Sequence, residues 1–159
     1  MSARILPVLT AILLWGGGLA QAADRLLGGT SAEALRVARE SQAHWTLGQL
    51  TVRHRRCVVP RVRAEILNAG QVVARLRVDP ATGGFLVRHE CPTGGGDVGD
   101  LTALRPAVER ALRRLEIGDW TWPTEQGRAW GVPLRYGGRV VGTLKIDVQQ
   151  GLLARTDDD

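Results

Sequence analysis

The stretch Gly70-Gln71-Val72-Val73-Ala74-Arg75-Leu76-Arg77-Val78-Asp79 returns 68 positions later as Gly138-Arg139-Val140-Val141-Gly142-Thr143-Leu144-Lys145-Ile146-Asp147. At the same offset Gly83 falls on Gly151. A long fixed period marks a chain built from copies of one small unit. Within the first copy Val72, Ala74, Leu76 and Val78 alternate with Gln71, Arg75, Arg77 and Asp79, and in the second Val140, Leu144 and Ile146 keep the same parity. Period-two alternation predicts an antiparallel strand with one face on a core and the other in water. Asn68-Ala69-Gly70 and Gly137-Gly138 stand just before the two copies and supply residues suited to hairpin turns. Each copy is therefore read as the second strand of a hairpin.

The pattern extends upstream. From Leu50 to Ile66 the even positions Leu50, Val52, Val58, Val62, Ala64 and Ile66 are apolar, while Thr51, Arg53, Arg55, Arg61, Arg63 and Glu65 are polar. In the second copy Val132, Leu134 and Tyr136 repeat the even side. Before each set of strands lies a helical pattern. Thr30-Ser31-Ala32-Glu33 has the form of a capping box, and Ala34, Leu35, Val37, Ala38 and Trp45 form an apolar stripe that Gly48 is expected to end. Leu101, Leu104, Val108, Ala111, Leu112 and Leu115 form the second stripe, closed by Gly118. Pro106 is costly inside a helix, which places the start of the regular helix near Arg105. The expected fold is α+β, with two helix-plus-antiparallel-sheet units in tandem. The first unit covers residues 24–91 and the second 101–156. A Gly-rich linker over 92–100 joins them, and each helix is expected on the apolar face of its own unit.

Residues 1–22 read as a signal peptide. Arg4 gives the positive start, Val8 to Leu19 the apolar run, and Ala20-Gln21-Ala22 the small-x-small cleavage pattern, with cutting after Ala22 or Ala23. The alternative is an uncleaved N-terminal anchor. No later segment is apolar enough to span a bilayer, so the mature chain is expected without an integral membrane segment, in a periplasmic or secreted location. The formal net charge is +5, and Lys145 is the only lysine among 21 basic residues, so the excess is carried by arginine. That balance suits an anionic partner.

A helix followed by a hairpin ending in Gly70-Gln71-Val72 through Val78-Asp79-Pro80-Ala81-Thr82-Gly83-Gly84-Phe85-Leu86 resembles the PepSY domain family. The second copy keeps Gly138, Val140, Ile146, Asp147 and Gly151 but has Gln150 where Thr82 stands. The resemblance implies a helix packed on an antiparallel sheet in an extracytoplasmic protein. Some family members occur in protease propeptides, so it also implies a non-catalytic binding or peptidase-inhibitory role. Asp79, Thr82 and Gly83 are explained without a ligand, as a turn in which Asp and Thr side chains accept backbone N–H groups and Gly takes positive φ.

The strongest candidate site is the odd, water-facing side of the first sheet: Arg53, Arg55, Arg61, Arg63, Arg75 and Arg77. Arg135, Arg139 and Lys145 hold the equivalent side of the second. Guanidinium groups fork onto carboxylate and phosphate, so the expected partner is an acidic envelope protein or an anionic envelope polymer. The alternative is a solvated sheet face with cross-strand Arg–acid pairs. Nucleic acid is not expected, because the face lacks aromatics for base stacking.

Cys57 and Cys91, the only cysteines, pair by default in an oxidising compartment. A simple meander with a strand over 84–90 would hold them at opposite ends of the sheet, too far apart for a bond, so either the segment after Gly83 folds elsewhere or the two are free thiols or pair between molecules. A rival reading is a small metal-binding or enzyme-accessory protein using His54, Cys57, His89 and Cys91. His44 stands apart from that set. Gly94-Gly95-Gly96-Asp97-Val98-Gly99 satisfies G-x-G-x-x-G but lacks a parallel βαβ context, so it reads as linker and no cofactor is expected. Trp120, Trp122 and Trp130 fit either a small core or an interface. With only Ser31 and Ser41 after the leader and no G-x-S-x-G or H-E-x-x-H, no catalytic residues are assigned.

Overall fold

The computed structural model describes residues 29–53, 60–92, 98–124, 129–148 and 152–154. The leader, Arg55, His54, Cys57 and the glycine run of the linker lie outside them. Helix α1 (Ser31–Gln42) precedes strands β1 (Trp45–Arg53), β2 (Arg61–Asn68), β3 (Gln71–Val78) and β4 (Phe85–Leu86). Helix α2 (Leu101–Leu112) precedes β5 (Glu116–Ile117), β6 (Trp122–Pro123), β7 (Trp130–Tyr136), β8 (Arg139–Asp147) and β9 (Leu152–Ala154). The first sheet runs β1-β2-β3-β4; the second runs β5-β7-β8-β9, with β6 also on β7. All pairings are antiparallel. The chain is thus α+β, with a helix leading each sheet.

Thr30 caps α1, its Oγ1 accepting the Glu33 N–H at 3.2 Å. The helix stops at Gln42, so Trp45 opens β1 instead of closing the helix. Gly48 lies inside that strand, at an irregularity between Leu47 and Leu50. Helix α2 also departs from expectation, starting at Leu101 and not near Arg105. Asp100 fixes the start: its Oδ1 accepts the Thr102 N–H at 2.8 Å. Pro106, six residues in, deprives the helix of one hydrogen bond early in its length.

The repeat reaches the detail of a bulge. Ile66 pairs with Ala74 and Leu67 with Val72, which leaves Val73 without an opposite residue. Leu134 pairs with Gly142 and Arg135 with Val140, which leaves Val141 in the same situation. A bulge resets which side chains face inward. Val73 and Val141, at odd positions, are buried, whereas Val140 is 42% exposed and Val72 is half-buried. Strict alternation through Val72 and Val140 is therefore corrected at both bulges.

The helices pack crosswise. Helix α1 lies on β7 and β8 of the second sheet, and α2 lies on β1 of the first. The expectation that each helix covers its own sheet is overturned. An apolar stripe specifies that a helix must be covered, not which of two similar apolar sheets covers it. Gln42 donates from Nε2 to Leu115 O at 2.6 Å, and Trp130 from Nε1 to Gly29 O at 3.3 Å. Strands β3 and β8 also meet: a Cβ on Gly142 would stand 2.4 Å from Leu76 Cδ2. One continuous core results, running from Ala34, Ala38, Ile66 and Leu76 to Val108, Val132, Leu144 and Ile146.

Candidate functional site

The outer face of the first sheet is built in rows by the strand register. Arg53 stands opposite Arg61. The next outward row runs Thr51, Arg63, Arg77, Leu86 across all four strands. The third opposes Glu65 to Arg75, whose Nε donates to Glu65 Oε1 at 3.1 Å. Between these rows, Val52, Val62, Val78 and Phe85 point to the core side. Arg53 is exposed and Arg61, Arg63, Arg75 and Arg77 are half-buried. The last four are all engaged within the chain, so this is an organised surface.

Like charges set directly opposite across a strand pair are unfavourable. The register makes two such pairs, Arg53 with Arg61 and Arg63 with Arg77. On these described rows Glu65 is the only acid. The register thus sets guanidinium groups side by side on one face, in a geometry suited to carboxylate or phosphate.

Beneath this face the Asp79 turn closes the β3–β4 connection. Asp79, only 5% exposed, accepts the Ala81 N–H on Oδ1 at 3.0 Å and the Gly83 N–H on its carbonyl at 2.8 Å. Thr82 Oγ1 accepts the Gly84 N–H at 3.2 Å. Gly83 has φ +73°, and a Cβ there would lie 2.5 Å from Ala107 Cβ on α2. The turn is thus the seat on which the second helix rests.

Past Phe85–Leu86 the chain does not continue the meander. A turn closed by Glu90 N–H to Val87 O, 3.0 Å, brings Cys91 back beside β2, where Arg61 Nη2 lies 3.5 Å from its Sγ. Of the two alternatives left by the sequence, the segment after Gly83 does leave the meander: only Phe85–Leu86 is strand, and Cys91 lies at the Arg61 end of β2. Cys91 is disulfide-bonded, and Cys57, the sequence's other cysteine, lies outside the described residues. A disulfide sulfur is not the thiolate that a metal needs. His89 and His44 are exposed in turns, and no group of three or more His, Cys, Asp and Glu among the described residues is placed to hold a metal ion.

Glu90 ties the halves together in a way the sequence did not signal. Its carboxylate takes the Val87 N–H at 3.1 Å and pairs with Arg139 at the start of β8. The backbone N–H of Val87 and then Arg139 hold the Glu90 carboxyl below its ordinary pKa. Arg105 of α2 reaches β1, donating to Leu47 O at 3.3 Å and Gly48 O at 2.6 Å.

The second sheet presents a different outer face. Gly131 and Pro133 are buried there, and the Trp122 ring lies where a Gly131 side chain would be. Trp120 stacks on Trp122 at 4.9 Å between centroids and is 50% exposed, while Trp130 is in the core. Arg135 turns back on Gly138 O at 3.3 Å. No described helix is long and apolar enough to cross a membrane. Comparison of the chain with family models, with characterised proteins and with solved structures finds no match.

Proposed function

We propose that this chain is an exported, PepSY-like, non-catalytic binding module, in the manner of a peptidase-regulating domain. It captures an acidic protein segment or envelope polyanion on the outer face of its first sheet. The observation that carries the reading is the pair of opposed arginine couples, Arg53–Arg61 and Arg63–Arg77. Side-by-side guanidinium groups present a row of forked donors to a carboxylate or phosphate. The resemblance in the Asp79–Leu86 phrase and the leader-like N-terminus support the family and location. The disulfide at Cys91 argues against the rival metal-binding reading.

The test is binding of immobilised polyglutamate at increasing salt. The wild-type chain binds, and binding falls steeply with ionic strength. Replacing Arg53, Arg61, Arg63 and Arg77 with Gln weakens capture by about tenfold or more, since each exposed charge contact contributes modestly but they add. Reversing Arg135 and Lys145 to Glu on the second sheet leaves it within about twofold. Unfolding in urea verifies that each variant is folded. Equal losses from the two sets, or salt-independent binding, overturn the assignment.

A further inference from the structure

Strand β1 spans nine residues and, among the described residues, hydrogen-bonds only to β2. The strands at the other margins are short, two residues in β4, three in β9 and two each in β5 and β6, and where β4 and β9 leave β3 and β8 unpaired those two strands meet, as at Leu76 and Gly142. A long open edge is a template for another strand, and proteins ordinarily block it. Here Arg105 occupies the carbonyls of Leu47 and Gly48, at the irregular end of the strand. The remainder, Gln49 to Arg53, keeps a regular register with β2 from Leu50 onward.

The side chains at this margin specify what would fit. On the outer face the edge residues are Thr51 and the exposed Arg53, with Arg61 directly behind Arg53. An acid on an added strand opposite Arg53 would give that arginine an opposite charge across the new strand pair. On the inner face the edge residues are Leu50 and the half-buried Val52, so an apolar residue there would extend the core. Added-strand recognition draws affinity from main-chain hydrogen bonds and selectivity from alternate side chains. We infer that the partner of the arginine face enters as an extended segment alternating acidic and apolar residues, added as a fifth strand along Gln49–Arg53. This inference rests on the anion-binding reading of that face and specifies its mode.

The full chain and a synthetic decapeptide of alternating Glu and Val test it. Two N-methylated versions of the peptide, one for each set of alternate amides, remove the donors on one edge at a time. The peptide is expected to slow hydrogen exchange of the amides in Gln49–Arg53. N-methylation in one phase weakens binding by about tenfold or more, and in the other phase leaves it nearly unchanged. Arg53→Glu weakens it by about tenfold. Binding that tolerates N-methylation in both phases, or leaves exchange at Gln49–Arg53 unaltered, overturns strand addition while the charge reading stands. Failure of both this peptide and polyglutamate to bind overturns both.

Discussion

The two sheets share a backbone plan and differ in what they show to water. At the repeat offset, Arg63 corresponds to Gly131, Glu65 to Pro133, Arg75 to Thr143 and Arg77 to Lys145. The inner face changes far less: Val62, Ala64, Leu76 and Val78 answer to Trp130, Val132, Leu144 and Ile146, and all eight are buried. The edges differ as well. Strand β1 is continuous, whereas β5 and β6 are two short pieces separated by Gly118 to Thr121. The break lets Trp122 fold onto the outer face at Gly131. One copy thus keeps an open, charged face and edge, and the other closes both. Conservation of the inner pattern with divergence outside is what a duplicated scaffold with one contact surface would show.

The largest effect is expected at the turn the first sheet uses to seat α2. Gly83→Val combines positive φ with a clash against Ala107 and should cost about 3–4 kcal/mol in urea unfolding. Gly137→Ala, at φ +56° with open space around it, should cost only about 1 kcal/mol. Similar costs would mean the helix seat contributes nothing. Next come the paired bulges. Val73→Ala and Val141→Ala each remove two buried methyl groups and should lower stability by about 2 kcal/mol, whereas Val140→Ala stays within about 0.5 kcal/mol. If Val140 proved as costly as Val141, the second bulge would be misplaced and the copies would differ in register.

The smallest effect concerns acid. The Thr102 N–H holds the Asp100 carboxyl below its ordinary pKa. A carboxylate with a depressed folded-state pKa adds stability above its unfolded pKa, about 4, and loses it as pH falls through the lower folded value. Asp100→Asn keeps a capping acceptor without titrating. Its unfolding midpoint should fall less than that of the wild type as pH drops below about 4, the unfolded carboxyl's range. Parallel pH profiles would remove Asp100 from the acid response.

The sequence was informative where local chemistry decides the outcome. Thr30 and Glu33 gave the start of α1, and Gly70 and Gly137–Gly138 marked the hairpins. The parity of Arg53, Arg61, Arg63, Arg75 and Arg77 placed them on one face. It was uninformative where a choice is made between near-equal partners. Valines at 72 and 73 are equally apolar, so the bulge that buries the second is decided by packing and not by pattern. Trp45 suits a helix stripe or a strand start alike. The destination of each helix depends on which apolar sheet offers the better fit, as Gly83 does for Ala107. The site was visible as charge, but the open edge beside it required the strand order.

The crosswise helices carry a consequence for how the chain reaches its native state. Helix α1, near the beginning, finds its sheet only in β7 and β8, roughly a hundred residues later. Contacts of such sequence separation raise the relative contact order and slow folding. The first half therefore cannot complete its packing as it emerges from synthesis. Helix α1 gains its sheet only once β7 and β8 have been made.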